Sequence, residues 1–439
     1  MTNKYRLRRI LAPTAGLRGP ALLAILGLTM LAFGLGLSFF KFLKPLFESF
    51  AGKWNTFIEK WVGTANIDAT NHLAGGAFLF LGAYLTFVGT RTVLRRLYAA
   101  LNPSSNATSR GMVNVFVRRQ QLATGPRIVA LGGGTGLSTL LRGLKQHSSN
   151  ITAIVTVTDD GGSSGRLVQE MGMIPPGDIR NCLVALADAE KLMTDLFQHR
   201  FKQARGSLAG HSLGNLLIAG LVEQTGGDFD QALTIASEVL NIRGRVVPST
   251  MAQIRLRALM EDGSEVCGET KIVQANQRIR RIFIDPDDCE AFPEALSAIR
   301  EADLIVSGPG SVYTSVIPNL LVPGIADAIR ESHAIRAYIC NVMTQPGESD
   351  SFTAAEHVAA INANVPTKIF DYVFVNTGLP TESTILKYRD SGQFVVEPDT
   401  ERIKAMGLRA VAGNFMNESD YVRHDPLKVA ARLMDLISR

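Results

Sequence analysis

A run of glycines directly after an apolar stretch is the sequence feature best suited to holding a phosphate. The run, called here the first glycine loop, consists of Gly132, Gly133, Gly134, Thr135 and Gly136. It follows the apolar stretch Arg127–Leu131 and precedes leucines spaced as on one helix face, so the pattern predicts a strand, a loop and a helix. Glycine lets the backbone bend against a ligand, and a helix start offers unpaired N–H groups to an anion. A tight turn without a ligand is the alternative, and because the spacing is not G-x-G-x-x-G, the loop alone implies no dinucleotide cofactor.

Two adjacent acids lie in another glycine-rich loop, which follows the buried-strand pattern of Ile151–Val157. Asp159 and Asp160 could hold a metal ion, and Ser163 and Ser164 could bind a sugar hydroxyl or a phosphate together with backbone N–H groups. Neighbouring parallel strands end at one edge of a sheet, where ligands bind, so both loops are expected to form one site. A solvated turn with an Asx cap is the alternative interpretation of the acids.

Two later segments carry polar residues at the start of predicted helices. Asp178 is suited to cap the first helix, whereas capping does not explain Arg180 and Asn181 in its first turn. His211 lies in a glycine-bounded loop before the second helix and could act as a general base or contact a phosphate, because its ordinary pKa is near neutrality. A structural role is commoner for a lone histidine, and the sequence shows no convincing pair of nucleophile and base.

Basic residues are concentrated near the N-terminus of this 439-residue chain. The first 127 residues hold 16 Lys/Arg and three acids, a net charge of +13, whereas the remainder holds 29 Lys/Arg and 37 Asp/Glu, a net charge of −8. An acidic body argues against nucleic-acid binding. The four cysteines lack C-x-x-C spacing, which argues against a zinc site or a disulfide framework and is typical of a reducing compartment.

Two uncharged stretches near the N-terminus predict a hairpin of transmembrane helices. Pro20–Phe40 has 21 residues, enough to cross the hydrocarbon core, and Leu73–Thr90 has 18. Basic residues flank the pair on its outer sides, so the positive-inside rule places both termini and the main domain in the cytoplasm, at the inner membrane. A signal peptide is the rival interpretation of the first stretch, although no A-x-A site closes it. The predicted domains are an anchor at 1–100, a basic linker at 101–125 and a soluble domain at 126–439.

The soluble body predicts an α/β fold on a doubly wound, mostly parallel sheet. Strands at Leu304–Ser307, Ala337–Asn341 and Phe370–Asn376 alternate with helical patterns such as Phe229–Leu240. Residues 246–285 differ, because the alternating apolar segments Ala252–Met260 and Glu265–Val273 flank a turn there. They predict a small antiparallel, β-rich insertion.

Several motifs together resemble the bacterial YvcK-type gluconeogenesis factor family, which is related to CofD, the 2-phospho-L-lactate transferase of deazaflavin cofactor synthesis. The motifs are VALGGGTGLSTLLRGLK, TVTDDGGSSGRL, PPGDIRNCL, GHSLGNLLI, GPGSVYTSVIPNLL, CNVMTQPGE and RHDP. They cover residues 126–439, and the N-terminal hairpin lies outside the family core, whose members are commonly soluble. The resemblance implies a Rossmann-like nucleotide-binding fold, a UDP-sugar ligand such as UDP-N-acetylglucosamine, and a role in cell shape and cell-wall precursor supply on gluconeogenic carbon.

The resemblance also implies which residues form the ligand site. The first glycine loop would hold the nucleotide, and the acids and serines of the loop after Val157 would form a second wall. Arg423, the arginine of the RHD motif, would pair with a diphosphate or cap the final helix. The further ligand-binding candidates are Arg180, Asn181, His211, Asn215, Gly308, Gly310 and Ser311.

Two functions of different class fit these observations. The first is a membrane-tethered, UDP-sugar-binding regulator that needs no cofactor for binding and has the lipid bilayer, but no nucleic acid, as a partner. The second is a Mg²⁺-dependent transferase acting on a nucleotide diphosphate, in which Asp159 and Asp160 hold the metal and His211 or an aspartate assists proton transfer. A homodimer is common for such folds, and the sequence leaves the oligomeric state open.

Overall fold

The computed structural model describes residues 22–35, 52–54, 56–60, 67–101, 120–203, 205–365, 368–418 and 421–437. The chain divides into two compact units, Met1–Arg119 and Gln120–Arg439, so the second unit begins somewhat before the predicted boundary at 126. The first unit contains the helices α1, Leu22–Leu35, and α2, Ile67–Leu101.

Glycines bring α1 and α2 into close contact. A Cβ atom on Gly27 would lie 2.5 Å from Thr86 N, and one on Gly82 would lie 2.6 Å from Leu31 N. Side chains at these positions would push the two backbones apart, so the glycines determine how closely the helices approach.

The apolar content of α2 agrees with the second predicted membrane span. Residues Ala69–Val93 form a helix long and apolar enough to cross a membrane, and the predicted stretch Leu73–Thr90 lies inside it. Large apolar side chains on this helix are exposed, Phe80 among them at 83%. Of the first predicted span, residues 22–35 form the apolar helix α1, and the remainder lies outside the described residues.

A seven-stranded parallel sheet forms the centre of the second unit, which confirms the predicted α/β class. Its strand order is β10-β9-β8-β7-β1-β2-β3, and every neighbouring pair is parallel. The order reverses between β1 and β7, which is the topological switch point where ligands bind in doubly wound sheets. All residues of β1 and β7 are buried, as their apolar composition indicates. The strands in the described part of the chain are β1 Ile128–Gly132, β2 Ile151–Val155, β3 Arg245–Pro248, β4 Arg255–Met260, β5 Glu265–Cys267, β6 Ile279–Asp285, β7 Leu304–Ser307, β8 Ile335–Ile339, β9 Tyr372–Asn376, β10 Arg409–Gly413, β11 Met416–Glu418 and β12 Val422–His424.

Helices follow most strands of the second unit, and several begin with residues predicted to bind a ligand. In chain order they are α3 Gly134–Leu144, α4 Gly162–Met171, α5 Gly177–Leu186, α6 Glu190–Phe197, α7 Leu213–Gln224, α8 Phe229–Leu240, α9 Glu269–Gln274, α10 Pro293–Glu301, α11 Ile317–Leu321, α12 Ile325–Glu331, α13 Ala354–Asn364, α14 Glu382–Asp390, α15 Thr400–Ala405 and α16 Pro426–Ile437. Helix α3 packs against both α5 and α16. Helix α3 is therefore supported by the segments that carry the PPGDIRNCL and RHDP motifs, and Pro426 of the second motif lies against Gly143 near the C-terminal end of α3.

A separate antiparallel sheet, of order β5-β4-β6, confirms the predicted insertion but makes it shorter. Residues 246–248 belong to β3, which pairs in parallel with β2 in the main sheet. The second insertion strand also ends early, because Gly268 adopts φ +101° and α9 begins at Glu269. Residues other than glycine rarely adopt that backbone conformation, so the chain turns sharply there.

Candidate functional site

The first glycine loop meets the second glycine loop, residues 308–311, at the topological switch point. A Cβ atom on Gly136 would lie 2.1 Å from Pro309 O, so a side chain there would displace one of the two backbones. Asn341 fixes the second loop, because its Oδ1 accepts a hydrogen bond from Gly310 N and its Nδ2 donates to Gly310 O, each at 3.0 Å. The close packing of the loops therefore accounts for glycine at position 136.

The first turn of α3 already faces a carboxylate of the chain itself. Asp178 accepts a hydrogen bond from the Gly134 N–H, and a Cβ atom on Gly133 would lie 2.6 Å from Asp178 Oδ2. Asp178 lies within the first turn of α5, where Pro176 is the N-cap, so the predicted capping role is wrong. The Asp178 carboxylate instead lies at the N-terminus of α3, which is the positive end of the helix dipole.

A cavity of about 570 Å³, called here the large cavity, opens beside the two glycine loops. The start of α3 contributes Thr135 and Gly136, and two cations, Lys387 and Arg423, come from α14 and β12. Tyr388 adds an aromatic ring to the lining. The volume falls within the range of about 300–1,000 Å³ that is usual for small-molecule sites.

The strand β12 presents Arg423 to the large cavity. Val422 and His424 are buried, whereas Arg423 between them is exposed. His424 Nε2 donates a hydrogen bond to Cys340 O at 3.0 Å, which fixes β12 beside the end of β8. Burial lowers the pKa of His424 to about 4, so the ring is neutral at physiological pH and serves as a structural donor.

Arg423 does not cap the final helix, which was one of its two predicted roles. Asp425 caps α16 instead, because its Oδ1 accepts a hydrogen bond from the Leu427 N–H at 2.9 Å. The Arg423 Cζ atom lies 5.3 Å from the centre of the Tyr421 ring, in cation–π contact at the protein surface. The guanidinium therefore faces the cavity with its hydrogen-bonding edge available to an anion.

A smaller cavity of about 310 Å³, called here the small cavity, forms where the first turns of α4, α5 and α7 meet. The predicted site residues that line it are Asp159, Ser163, Ser164, Arg180, Asn181 and Asn215. Asp178 and Arg200 line it as well. Residues from three separate motifs are thus brought together by the convergence of helix starts.

A chain of hydrogen bonds joins four side chains beside the small cavity. Arg180 Nη1 donates to Asn215 Oδ1 at 2.8 Å, and Asn215 Nδ2 donates to Ser163 Oγ at 3.1 Å. Ser163 Oγ lies 2.9 Å from His211 Nδ1. Arginine can only donate, so Asn215 must turn its oxygen towards Arg180 and its NH₂ group towards Ser163. The Ser163 oxygen accepts from Asn215 and keeps its own proton, which it can donate to His211 Nδ1 when the imidazole proton is on Nε2.

Ser163 and His211 form a contact that sequence reasoning did not anticipate. Burial, with a smaller contribution from the Arg166 cation, lowers the pKa of His211 from its ordinary value, while Glu170 opposes the shift. The two side chains are 4% and 2% exposed. Because Ser163 lines the small cavity and His211 contacts Ser163, the histidine acts as a positioning residue for the serine.

Four carboxylates from distant parts of the chain interact electrostatically at this edge of the sheet: Asp159, Asp178, Glu269 and Glu348. Burial, and then the charge of Asp159, raises the pKa of Asp178 to about 6. Burial raises the pKa of Glu348 to about 7, and burial followed by the charge of Asp159 raises the pKa of Glu269 well above its ordinary value. Partial protonation near neutrality therefore makes the edge less repulsive to an anionic ligand than four acids would indicate.

The predicted metal pair, Asp159 and Asp160, turns its carboxylates to different partners. Asp159 Oδ1 accepts from Gly161 N at 3.0 Å, whereas Asp160 Oδ1 accepts from Thr270 N at 3.0 Å and from Thr270 Oγ1 at 2.6 Å. Over the described ranges, no group of three or more His, Cys, Asp or Glu side chains is placed to hold a metal ion. The geometry of this pair does not fit a prebuilt metal centre.

Sequence reasoning missed three charged residues of the site. Glu348 closes the CNVMTQPGE motif, and its Oε1 accepts a hydrogen bond from Thr314 Oγ1 at 3.1 Å. Glu269, which accepts from Thr158 Oγ1 at 3.2 Å, comes from the insertion, and Lys387 comes from α14. The motif was a usable signal for Glu348, whereas neither Glu269 nor Lys387 follows a strand of the main sheet in a glycine-rich loop.

Comparison with known proteins gives a consistent set of relatives. The family model described as 2-phospho-L-lactate transferase CofD matches residues 128–416. A putative gluconeogenesis factor from Nostoc sp. is 44% identical over 419 residues, covering 95% of this chain and 88% of its own length. Because only a small part of this chain lies outside that match, the similarity extends into residues 1–119.

Other relatives match only the length of the second unit. The gluconeogenesis factor of Bacillus subtilis is 50% identical over 313 residues, covering 71% of this chain and 98% of its own length. A crystal structure of a UPF0052-family protein from Bacillus halodurans is 48% identical with a TM-score of 0.68, and covers 71% of this chain and 99% of its own. A protein of this kind therefore folds without a counterpart of residues 1–119.

Proposed function

The chain belongs to the gluconeogenesis factor (YvcK-type) family and contains its CofD-like domain, and on that premise we propose that it binds a UDP-sugar and regulates cell shape and cell-wall precursor supply. The ligand belongs to the UDP-N-acetylglucosamine class. The protein acts as a membrane-tethered sensor of this precursor rather than as an enzyme that consumes it.

The large cavity is the observation that carries the proposal. The backbone of Thr135 and Gly136 in the first turn of α3 lines one wall, where helical N–H groups favour a diphosphate, and Arg423 and Lys387 offer positive charge on another. Arginine binds phosphate oxygens through two parallel hydrogen bonds, which fixes the orientation of the group. Diphosphate recognition thus uses the backbone of the glycine loop and the RHD motif together.

The base is expected to bind against the apolar part of the same cavity. Val342, Met343 and Val422 pack together there, and Tyr388 packs against them. Such a surface buries an aromatic base by the hydrophobic effect, while Asn341 and Gln345 in the lining offer polar groups for its edge. This arrangement supports a nucleotide ligand rather than a free sugar.

Membrane attachment is supported by the first unit. Helix α2 is long and apolar enough to span a bilayer, and its exposed side chains include Phe80 and Phe87. Soluble proteins rarely expose apolar surface of this kind over a whole helix. A tether would hold the second unit near the membrane, where lipid-linked wall precursors are made.

A Mg²⁺-dependent transferase is the second candidate, favoured by the four interacting carboxylates and by the description of the matched family model. Asp160 is engaged with α9, so Asp159 and Asp178 are the carboxylates nearest to a ligand in the small cavity. Mg²⁺ is often held by one or two carboxylates together with substrate phosphates. The transferase function requires that the protein convert a bound nucleotide into a product.

Calorimetry on residues 120–439 tests both candidates. UDP-N-acetylglucosamine, UDP-glucose, GDP and NAD are titrated with and without Mg²⁺, and each mixture is then analysed for conversion. Binding of a UDP-sugar without dependence on Mg²⁺ and without turnover supports the regulator. Mg²⁺-dependent turnover that is abolished by Asp159→Asn, with binding retained, replaces it by the transferase, and failure of every UDP-sugar to bind rejects the proposed ligand class.

A further inference from the structure

Arg180 is a buried cation without an ion pair. Its side chain is 5% exposed, and among the described residues no carboxylate lies within salt-bridge distance of its guanidinium. Buried charges in proteins are normally paired or bound to a ligand, because removing a cation from water is costly. Asp178 and Asp159 act on this cation electrostatically from a longer distance, but neither is in a direct ion pair with it.

The hydrogen bonds of Arg180 leave one edge of the guanidinium unused. Its Nη1 donates to Ser212 Oγ and to Asn215 Oδ1, and its Nη2 donates to Asn181 Oδ1 at 3.0 Å. The Nε atom is buried and, among the residues that the structure describes, has no hydrogen-bond partner. Nε–H and one N–H of Nη2 form one edge of the planar group, and arginine binds carboxylates and phosphates through such an edge.

The helix α4 supplies further donors to the same cavity. No side chain caps α4, so its first turn leaves the N–H groups of Gly162, Ser163 and Ser164 without helical partners. Two of these residues carry hydroxyl groups, and the Ser163 hydroxyl already contacts His211 Nδ1 and Asn215 Nδ2. The Ser164 hydroxyl and the backbone donors are what a small ligand would meet.

We infer that the small cavity is a second ligand subsite, specific for an oxyanion such as a phosphate or carboxylate group, which Arg180 binds through its Nε edge and α4 binds through its N-terminal N–H groups. The exposed Arg200, which also lines the cavity, contributes long-range attraction. This inference rests on the proposed function in one respect, because it takes the large cavity beside this subsite to be the nucleotide site.

The acids that line the small cavity reduce the anion affinity without preventing binding. Asp159 and Asp178 both line it, and burial together with their mutual repulsion favours the protonated form of Asp178. An incoming anion would favour that form further, so Asp178 can release the repulsion by taking up a proton. Arg180 has no such option, because a guanidinium stays charged at accessible pH.

The oxyanion has two sources that the experiment separates. It is either an acidic group attached to the nucleotide-bound sugar or a free small acid that binds beside the nucleotide. The first source predicts that UDP-glucuronate binds more tightly than UDP-glucose. The second predicts that inorganic phosphate and UDP-glucose bind to the same molecule without competition.

The test titrates residues 120–439 with inorganic phosphate, UDP-glucose and UDP-glucuronate, using ³¹P NMR and calorimetry. Arg180→Gln should weaken phosphate binding, or the preference for UDP-glucuronate, at least tenfold while leaving UDP-glucose affinity within twofold. Arg423→Gln should do the reverse. Arg200→Gln, at an exposed position, should weaken phosphate binding severalfold and keeps the test valid where Arg180→Gln does not fold.

Three results would overturn the inference. First, the wild type could fail to bind phosphate and show no preference for UDP-glucuronate over UDP-glucose. Second, phosphate binding could survive both Arg180→Gln and Arg200→Gln unchanged. Third, Arg423→Gln could abolish phosphate binding. The last result would locate the anion in the large cavity. A loss of UDP-glucose binding alone would count against the proposed nucleotide ligand and not against the subsite, so the two failures are distinguishable.

Discussion

The Asp178 carboxylate accepts a hydrogen bond from the backbone N–H of Gly134, so the helix end best suited to a ligand phosphate already faces an internal anion. Burial and the charge of Asp159 raise the pKa of this carboxyl to about 6. Gly134 itself adopts φ +60° with open space beside it, which keeps the remaining donors of the turn accessible. Asp178 thus lines the small cavity and at the same time faces the first turn of α3.

Asp178→Asn should stabilise the body above pH 7. The pKa of Asp178 is about 6 in the folded state and near 4 in the unfolded state. Ionisation of this carboxyl therefore lowers the free energy of unfolding, and the loss is complete above about pH 6. An amide keeps an oxygen acceptor for the Gly134 N–H without that cost, and the gain should be on the order of 1–3 kcal/mol. Urea denaturation of residues 120–439 at pH 8 measures it.

The pH dependence of that gain is the control. It should decline as the pH falls from about 6 towards 4, because the wild-type carboxyl then takes up its proton in the folded state. A gain that is equal at pH 8 and pH 4.5 would show that the substitution acts through packing and not through charge.

Gly136→Ala should destabilise the body strongly. The added Cβ atom would lie 2.1 Å from Pro309 O, and the backbone of either glycine loop would have to move. Overpacking against backbone costs about 1–3 kcal/mol, which denaturant titration resolves readily. Gly220→Ala, in the interior of α7 with nothing within 4 Å of the new atom, is the matched control and should be neutral or stabilising by up to about 1 kcal/mol. Equal effects of both changes would contradict the loop-packing explanation.

Local patterns predicted the sheet well where a strand is a buried apolar run that ends in turn residues, whereas β10, which is partly exposed, lacks that pattern. The predicted bounds of Leu304–Ser307 and Phe229–Leu240 agree with β7 and α8. Residues 246–248 were assigned to the insertion because only three-dimensional pairing with β2 distinguishes β3 from the hairpin that follows. Gly268 ended a strand pattern that the apolar residues alone would have continued into α9.

The site was harder to predict than the fold, because its residues come from separate motifs. The motifs supplied Arg180, Asn215 and Ser163, but the hydrogen bonds that connect them follow from the meeting of α4, α5 and α7. The contact between Ser163 and His211 joins residues 48 positions apart in the chain, and no local pattern encodes it. Asp160 shows the opposite case, since an acid in a promising loop supports α9 instead.

Arg423→Gln should weaken UDP-N-acetylglucosamine binding at least tenfold and leave stability almost unchanged. The side chain is exposed and lies against the Tyr421 ring at the surface, so its removal disturbs little packing, while a bidentate phosphate contact is worth about 1.5–3 kcal/mol. Calorimetry and thermal melting measure the two quantities. Arg432→Gln, an exposed arginine on α16 outside both cavities, is the control and should leave affinity unaltered.

His211 should be a neutral imidazole with its proton on Nε2. Ser163 Oγ accepts from Asn215 and has its own proton to donate to Nδ1, and burial lowers the pKa of the ring, which favours the neutral form. The unfolded state then binds a proton at its ordinary pKa near 6.5 and the folded state only at lower pH, so this histidine reduces stability as pH falls below about 6.5. Long-range ¹H–¹⁵N spectra at pH 7 identify the tautomer.

Ser163→Ala provides the check on the tautomer argument. Without the hydroxyl donor the preference for Nε2–H should weaken, and the ring pKa should change because Nδ1 loses its partner. A protonated Nδ1 in the wild type would make Ser163 Oγ an acceptor from both Asn215 and His211 and would release the hydroxyl proton for a ligand.

The full chain should partition into lipid vesicles, whereas residues 120–439 should remain in solution and still bind UDP-N-acetylglucosamine. The expectation follows from the apolar helix Ala69–Val93 and from the acidic body, which by itself offers an anionic bilayer little attraction. Flotation with vesicles, with and without a carbonate wash, measures the partitioning. Phe80→Asp places a charge at a side chain that is 83% exposed and should reduce flotation severalfold, whereas Phe80→Leu should not. Full-length protein that stays soluble, or a body that loses its fold when residues 1–119 are removed, would mean that the apolar helices cover protein rather than lipid.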